Sequence, residues 1–178
     1  GIKESILFLL PVFVVFMLTH IILIGVGIGA HVPDIPRWLA EVERLEKAQV
    51  PLPIIFGHHD LLPTNFMDDG KRLWLIDWEY GGFGTAMFDL ANIASNNQFG
   101  EQAEKDLLTR YFERAPDQAL LRAFYAMKTA SALREAVWGM VSEIHLNAPG
   151  VDYVAYAREY LGRYEKVLAE YNSKFGKT

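Results

Sequence analysis

The stretch FMDDGKRLWLID, residues 66–77, constrains the fold more than any other part of the chain. Asp69-Gly70 sits between two short apolar runs, and Asp-Gly in that setting is a strong local signal for a β-hairpin. A hairpin carries the chain out and back, so its two ends meet. Asn65 stands before the first strand and Asp77 closes the second. Asp60 lies five residues before Asn65, in GHHDLLPTN (57–65). The hairpin therefore predicts that Asp60, Asn65 and Asp77 gather at one place.

Three short oxygen-bearing side chains at one place suit phosphoryl transfer. One carboxylate orients the attacking hydroxyl and accepts its proton. A second carboxylate and an amide oxygen hold magnesium, a hard cation that prefers oxygen ligands. Other readings of the His-Asp pair fit less well. No G-x-S-x-G nucleophile elbow occurs, which argues against a serine hydrolase. His58 and His59 are adjacent and H-E-x-x-H is absent, so a zinc site is poorly served. A structural loop without metal is the plain alternative.

Composition narrows the classes further. A length of 178 residues suits one domain or one lobe of a larger enzyme, and 51% hydrophobic residues suffice for a core. The net charge of −5 argues against a nucleic-acid partner. There is no cysteine, which excludes disulfides, thiolate metal sites and cysteine nucleophiles and is consistent with a cytoplasmic protein.

The N-terminus is different in kind. No Asp, Glu, Lys or Arg occurs from Ser5 to Pro33, and the run is long enough to cross a bilayer. Three readings stand for residues 1–33: a membrane anchor over 6–30, a buried core segment, or a start unrelated to the native protein. Residues 34–178 read as a separate, mostly helical unit. Asp34 and Pro36 open a helix over RWLAEVERLEKAQ, with Trp38, Val42 and Leu45 on one face. IIFG (54–57) reads as a short buried strand or extended run. EQAEKDLLTRYFER places Ala103, Leu107 and Tyr111, and also Leu108 and Phe112, at helical spacing. PDQALLRAFYAMKTASALREAVWGMVSEIHLN reads as one long or two abutting helices. A last helix carries Tyr153, Tyr156, Tyr160, Tyr164 and Tyr171 along one side.

HHDLLPTN, the aspartate of LIDWEY twelve residues after Asn65, and FDLAN together resemble the choline/ethanolamine kinase and aminoglycoside phosphotransferase superfamily, itself related to protein kinases. HHDLLPTN with IDWEY is most similar to choline kinases, including the LicA-type enzymes. REAVWGMVSEIHLN and DYVAYAREYLGRYEKVL resemble the C-terminal helices of that branch. The likeness covers about residues 37–172. It implies an α+β, mostly helical fold: a protein-kinase-like C-terminal lobe with a short catalytic-loop hairpin and several packed helices.

By the same resemblance Asp60 is the catalytic base, and Asn65 and Asp77 hold magnesium beside ATP. His58 and Asp89 support the loop, and His59 has no assigned role. Trp138, Tyr156 and Tyr153 are implied for the acceptor, with Tyr80 and Glu79 lining the same pocket. An aromatic cage suits a quaternary ammonium, which cannot donate hydrogen bonds. The implied function is transfer of the γ-phosphate of ATP to a small amino alcohol such as choline or ethanolamine. Val141 stands where a second tryptophan is expected and Asn96 where an acid is expected; both weaken the case for choline. An antibiotic phosphotransferase and an inactive binding module are the other classes. Such a kinase also needs an N-terminal lobe with a strand lysine and a helix glutamate. Residues 1–36 offer only Lys3 and Glu4, so the chain reads as the catalytic and acceptor-binding half. The bland readings are a helix cap for Asp89, core packing for Trp138 and the tyrosines, and a plain turn for Asp68-Asp69.

Overall fold

The structure, a computed structural model, describes residues 32–146 and 148–176. Five helices carry most of it: α1 Ile35–Glu46, α2 Ala86–Asn96, α3 Glu101–Phe112, α4 Gln118–His145 and α5 Tyr153–Phe175. Four short strands lie between α1 and α2: β1 Ile54–Gly57, β2 Phe66–Asp68, β3 Leu73–Leu75 and β4 Gly82–Thr85. The mostly helical lobe expected from the sequence is what forms. The membrane anchor considered over residues 6–30 lies outside the described residues. Among the described residues no helix is long and apolar enough to cross a membrane.

The predicted hairpin is present, with Phe66 opposite Leu75 and Asp68 opposite Leu73. Its turn is built from side chains. Asp69 Oδ1 accepts the N–H groups of Lys71 and Arg72 at 2.9 and 2.8 Å, and Gly70 takes φ +79°. The acidic pair builds the turn: Asp68 Oδ1 accepts the N–H of Gly70 and Asp69 Oδ2 the indole N–H of Trp74, both at 2.8 Å.

β1 is a strand, but not a buried one. Among the described residues it pairs only with β4, and Ile54 and Phe56 are 66% and 56% exposed. Its partner GFGT carries little β-propensity; pairing with IIFG makes it a strand. The α2 helix was likewise unannounced by periodicity, because eight of its eleven residues are buried and no polar face remains.

Proline and aspartate end-signals set the long helices. Asp117 caps α4 by accepting the N–H of Leu120 at 2.8 Å, and Asp152 caps α5 through Ala155 at 2.8 Å. α4 is one helix of 28 residues. It packs along α5, and α2 lies against its middle. Two apolar clusters result. One centres on Met87, Leu108, Phe124 and Tyr171; the other on Trp38, Leu133, Met140, Tyr160 and Tyr164. Full burial of each such side chain is worth about 1.5–3 kcal/mol.

Two packing expectations are corrected. On α3 the buried positions are Glu104 and Leu108, while Tyr111 is exposed. Glu104 goes inward because Lys128 of α4 meets it at 2.5 Å in the core; a paired charge overrides the apolar stripe. On α1, Trp38 and Leu45 are buried but Val42 is 42% exposed, on the wall of an open apolar groove between α1 and α4.

Candidate active site

The loop from His58 to Asn65 is fastened from below by α2. Asp89 accepts two backbone N–H groups, from His58 at 2.7 Å and His59 at 2.8 Å. Thr85 holds the N-cap position of α2, so Asp89 is not a helix cap. One turn later, Asn92 Oδ1 accepts the N–H of Leu61 at 2.6 Å and its amide donates to Ser131 Oγ at 3.1 Å. Gly57 makes the approach feasible. A Cβ there would lie 2.8 Å from Asp89 Oδ2 and from His59 Nε2.

His58 ties the loop to the end of the hairpin. Its Nδ1 accepts the N–H of Asp60 at 3.2 Å, so the ring proton sits on Nε2 and is donated to the carbonyl of Ile76 at 2.8 Å. The ring is 1% exposed and meets the edge of Trp78, centroids 4.7 Å apart. Ile76 N–H closes the circuit on the carbonyl of Asn65 at 3.0 Å. Asp77 follows at once. Its φ of +64° is a left-handed conformation that few residues other than glycine accept and that aspartate tolerates. His59 takes φ +63°, at the point where the chain passes from the two N–H groups held by Asp89, those of His58 and His59, to the N–H of Asp60 held by His58.

The amide of Asn65 donates both to the carbonyl of Asp60 at 2.8 Å and to its Oδ2 at 3.2 Å. This orients the carboxylate of Asp60 and leaves the side-chain oxygen of Asn65 unspent. Asp77 is exposed and makes no hydrogen bond or ion pair among the described residues. No cluster of three His, Cys, Asp or Glu forms among the described residues. A lone carboxylate beside an amide oxygen fits magnesium, which keeps waters and phosphate oxygens in its remaining positions. It does not fit zinc, which takes three or four nitrogen, sulfur or carboxylate ligands.

On the other side, α4 and α5 carry the aromatic residues. Trp138 lies 5.3 Å from Tyr156 and 6.0 Å from Tyr153, centroid to centroid. Tyr156 donates its hydroxyl to Glu135 Oε2 at 2.9 Å, and Arg134 donates to Glu135 Oε1 at 2.9 Å. Arg134 reaches Asp60 Oδ1 at 4.0 Å, and its guanidinium lies over the rings of Tyr80 and Phe88 at 5.3 and 5.7 Å. An unbroken chain of polar contacts thus runs from Asp60 to the aromatic cluster. Burial pushes the Glu135 carboxyl above its ordinary range, opposed mainly by the Arg134 charge. Burial also raises the Tyr156 hydroxyl, with the Glu135 charge beside it adding to the shift.

Of the residues singled out in the sequence, the structure gathers His58, Asp60, Asn65 and Asp89 directly, with Asp77 at the adjoining strand end. It groups Trp138 with Tyr153 and Tyr156, and sets Tyr80 against Arg134. Glu79 is exposed and makes no hydrogen bond or ion pair among the described residues. Val141 opens on the apolar groove toward α1. Asn92, Arg134 and Glu135 were missed. The signals were there: Asn92 stands three residues after Asp89, and an Arg-Glu pair interrupts an apolar helix.

The profile of the "Phosphotransferase enzyme family" matches residues 27–124, more than half of the chain. The chain belongs to this family. Among curated members it is similar to the LicA protein of Haemophilus influenzae, 39% identical over 54 residues, which are 30% of this chain and 20% of LicA. Against the thiamine kinase of Escherichia coli it is 36% identical over 76 residues, 41% of this chain and 28% of that one. Its fold matches the crystal structure of a choline/ethanolamine kinase family protein from Mesorhizobium loti, with a TM-score of 0.67 and 25% identity. That match covers 84% of this phosphotransferase-family chain and 52% of the other. The chain therefore spans about half of that relative, and the matched segments span less of the curated ones.

Proposed function

We propose that residues 34–178 are the catalytic and acceptor-binding lobe of a kinase that transfers the γ-phosphoryl group of ATP to the hydroxyl of a small, choline- or ethanolamine-like amino alcohol. Residues 1–33 are a separate hydrophobic segment in this reading. A nucleotide-binding half completes the enzyme, as the span of the chain against its relatives suggests. The observation that carries the reading is the double clasp of Asp89 on His58 and His59. Together with the His58–Ile76 hydrogen bond, it fixes the loop of Asp60 against the strand end of Asp77.

Asp60 is the base. Its carboxylate is aimed by Asn65 and is 13% exposed, open to an incoming hydroxyl. As the acceptor oxygen bonds to the γ-phosphorus, the bond from that phosphorus to the β,γ-bridging oxygen breaks. ADP keeps the electron pair and the hydroxyl proton passes to Asp60. Asp77 and the side-chain oxygen of Asn65 would hold magnesium. When bound, the ion neutralises charge on the phosphates. Trp138, Tyr153 and Tyr156 form the aromatic wall for the amine, a contact worth about 0.5–2 kcal/mol per cation–ring pair. With Val141 turned toward α1, that cage lacks a further aromatic wall there, which favours ethanolamine over choline.

The test is Asp60→Ala in the chain completed with a nucleotide-binding half, assayed against ethanolamine, choline, thiamine and an aminoglycoside. Positioned proton transfer contributes about 10²–10⁴-fold, so turnover should fall by at least 100-fold with folding preserved. A variant that retains near-normal phosphorylation would refute the assignment. Preference for the aminoglycoside would move the chain to the antibiotic-modifying class.

A further inference from the structure

Among the described residues, Arg134 is the only cationic side chain within ion-pair distance of Asp60, at 4.0 Å from its Oδ1. Its single hydrogen bond uses Nη1, which goes to Glu135. Nε and Nη2 have no partner among the described residues, and the side chain is 32% exposed. A guanidinium carries five donors in a planar fork, so most of this one is unspent. Tyr80 and Phe88 flank it. Together with His59 and Thr85 they line a cavity of about 460 Å³ into which Arg134 faces.

We propose that Arg134 is a phosphate-contacting arm that receives the transferred phosphoryl group on the acceptor side. The inference rests on the reading of Asp60 as the base. The electrostatics of the site call for such a group. Asp60 and Asp77 are both carboxylates, and the phosphoryl group crossing between them brings charge spread over three oxygens. A metal at Asn65 and Asp77 serves the nucleotide side. On the acceptor side the cation at hand is Arg134, whose fork matches two phosphate oxygens. Glu135 and Tyr156 hold the arm in place through Nη1 without consuming the rest of the fork. The salt contact to Asp60 is long for an ion pair, so the arm can turn to a phosphate without giving up a short bond.

The experiment measures binding to the full chain by calorimetry and ³¹P NMR, with inorganic phosphate, phosphoethanolamine and ethanolamine as probes. Arg134→Met should weaken phosphate and phosphoethanolamine at least tenfold while changing ethanolamine by less than about twofold. Arg134→Lys, which keeps the charge and loses the fork, should fall between. Equal weakening of all three probes would reduce Arg134 to a structural role and overturn the proposal. Failure of the native chain to bind inorganic phosphate or phosphoethanolamine would also overturn it. Arg134-dependent phosphate binding without ethanolamine binding would uphold the arm and sink the amino-alcohol acceptor instead. Should Arg134→Met unfold, Arg134→Lys alone decides, since undiminished phosphate binding by it would refute the fork.

Discussion

Asp89 and His58 meet across 31 residues of sequence, the carboxylate of one accepting the backbone N–H of the other at 2.7 Å. The second oxygen of Asp89 takes the N–H of His59 at 2.8 Å, so the pair acts as a two-point clasp. Hydrogen bonds to a charged group contribute about 1.5–3 kcal/mol, and both N–H groups lose their partner when the acid is removed. Asp89→Ala should therefore destabilise the lobe by about 2–4 kcal/mol in urea unfolding. A change below about 0.5 kcal/mol would show that the loop holds its shape without α2.

Asp77 holds a φ of +64°, a conformation asparagine accepts as readily as aspartate. Asp77→Asn should leave the urea midpoint within about 0.5 kcal/mol of the parent, because neither packing nor backbone is disturbed. Magnesium–nucleotide binding by the completed kinase should fall at least tenfold, since a hard cation loses its carboxylate. Unchanged magnesium affinity in a calorimetric titration would take Asp77 out of the metal site.

Gly139 is where α4 and α5 touch. A Cβ there would lie 2.9 Å from Tyr156 Cδ1 and 3.1 Å from the backbone nitrogen of Ala157. Alanine gains about 1 kcal/mol of helix propensity, but overpacking costs about 1–3 kcal/mol and the backbone of α5 cannot yield as a side chain can. Gly139→Ala should be destabilising by about 1–2 kcal/mol and should shift the fluorescence of Trp138 as Tyr156 moves. A stabilised variant would mean that the helices part without cost.

Glu135 carries a carboxyl raised by burial, with Arg134 and the Tyr156 hydroxyl pulling it back. Its folded pKa lies above its unfolded one. Below the unfolded value, about 4.5, both states hold the proton and no penalty applies. As pH rises through the window up to the folded value, the unfolded chain releases its proton first and stability is lost. Glu135→Gln should remove that downward slope while leaving the pH dependence elsewhere intact. Parallel stability–pH curves for the two proteins would show that Glu135 has the same pKa folded and unfolded.

The hairpin from Phe66 to Leu75 and the capped helices α4 and α5 were legible in the sequence, because their causes are local. Asp-Gly dictates the turn, and Asp117 and Asp152 reach only three residues to cap their helices. The spacing of Asp60, Asn65 and Asp77 was legible for the same reason: a hairpin of known length fixes where its ends meet. β1 against β4 was not legible, since GFGT becomes a strand only when a partner lies beside it. Nor was the inward turn of Glu104, which depends on Lys128 arriving from another helix at 2.5 Å. The chain from Asp60 through Arg134 and Glu135 to Tyr156 joins a loop and two helices. Sequence determined that Asp60, Asn65 and Asp77 meet at the hairpin, and which helices carry the aromatic residues. Tertiary packing alone decided that Arg134 stands beside Asp60, because a charge in an apolar helix finds its partner only when the helix meets the loop.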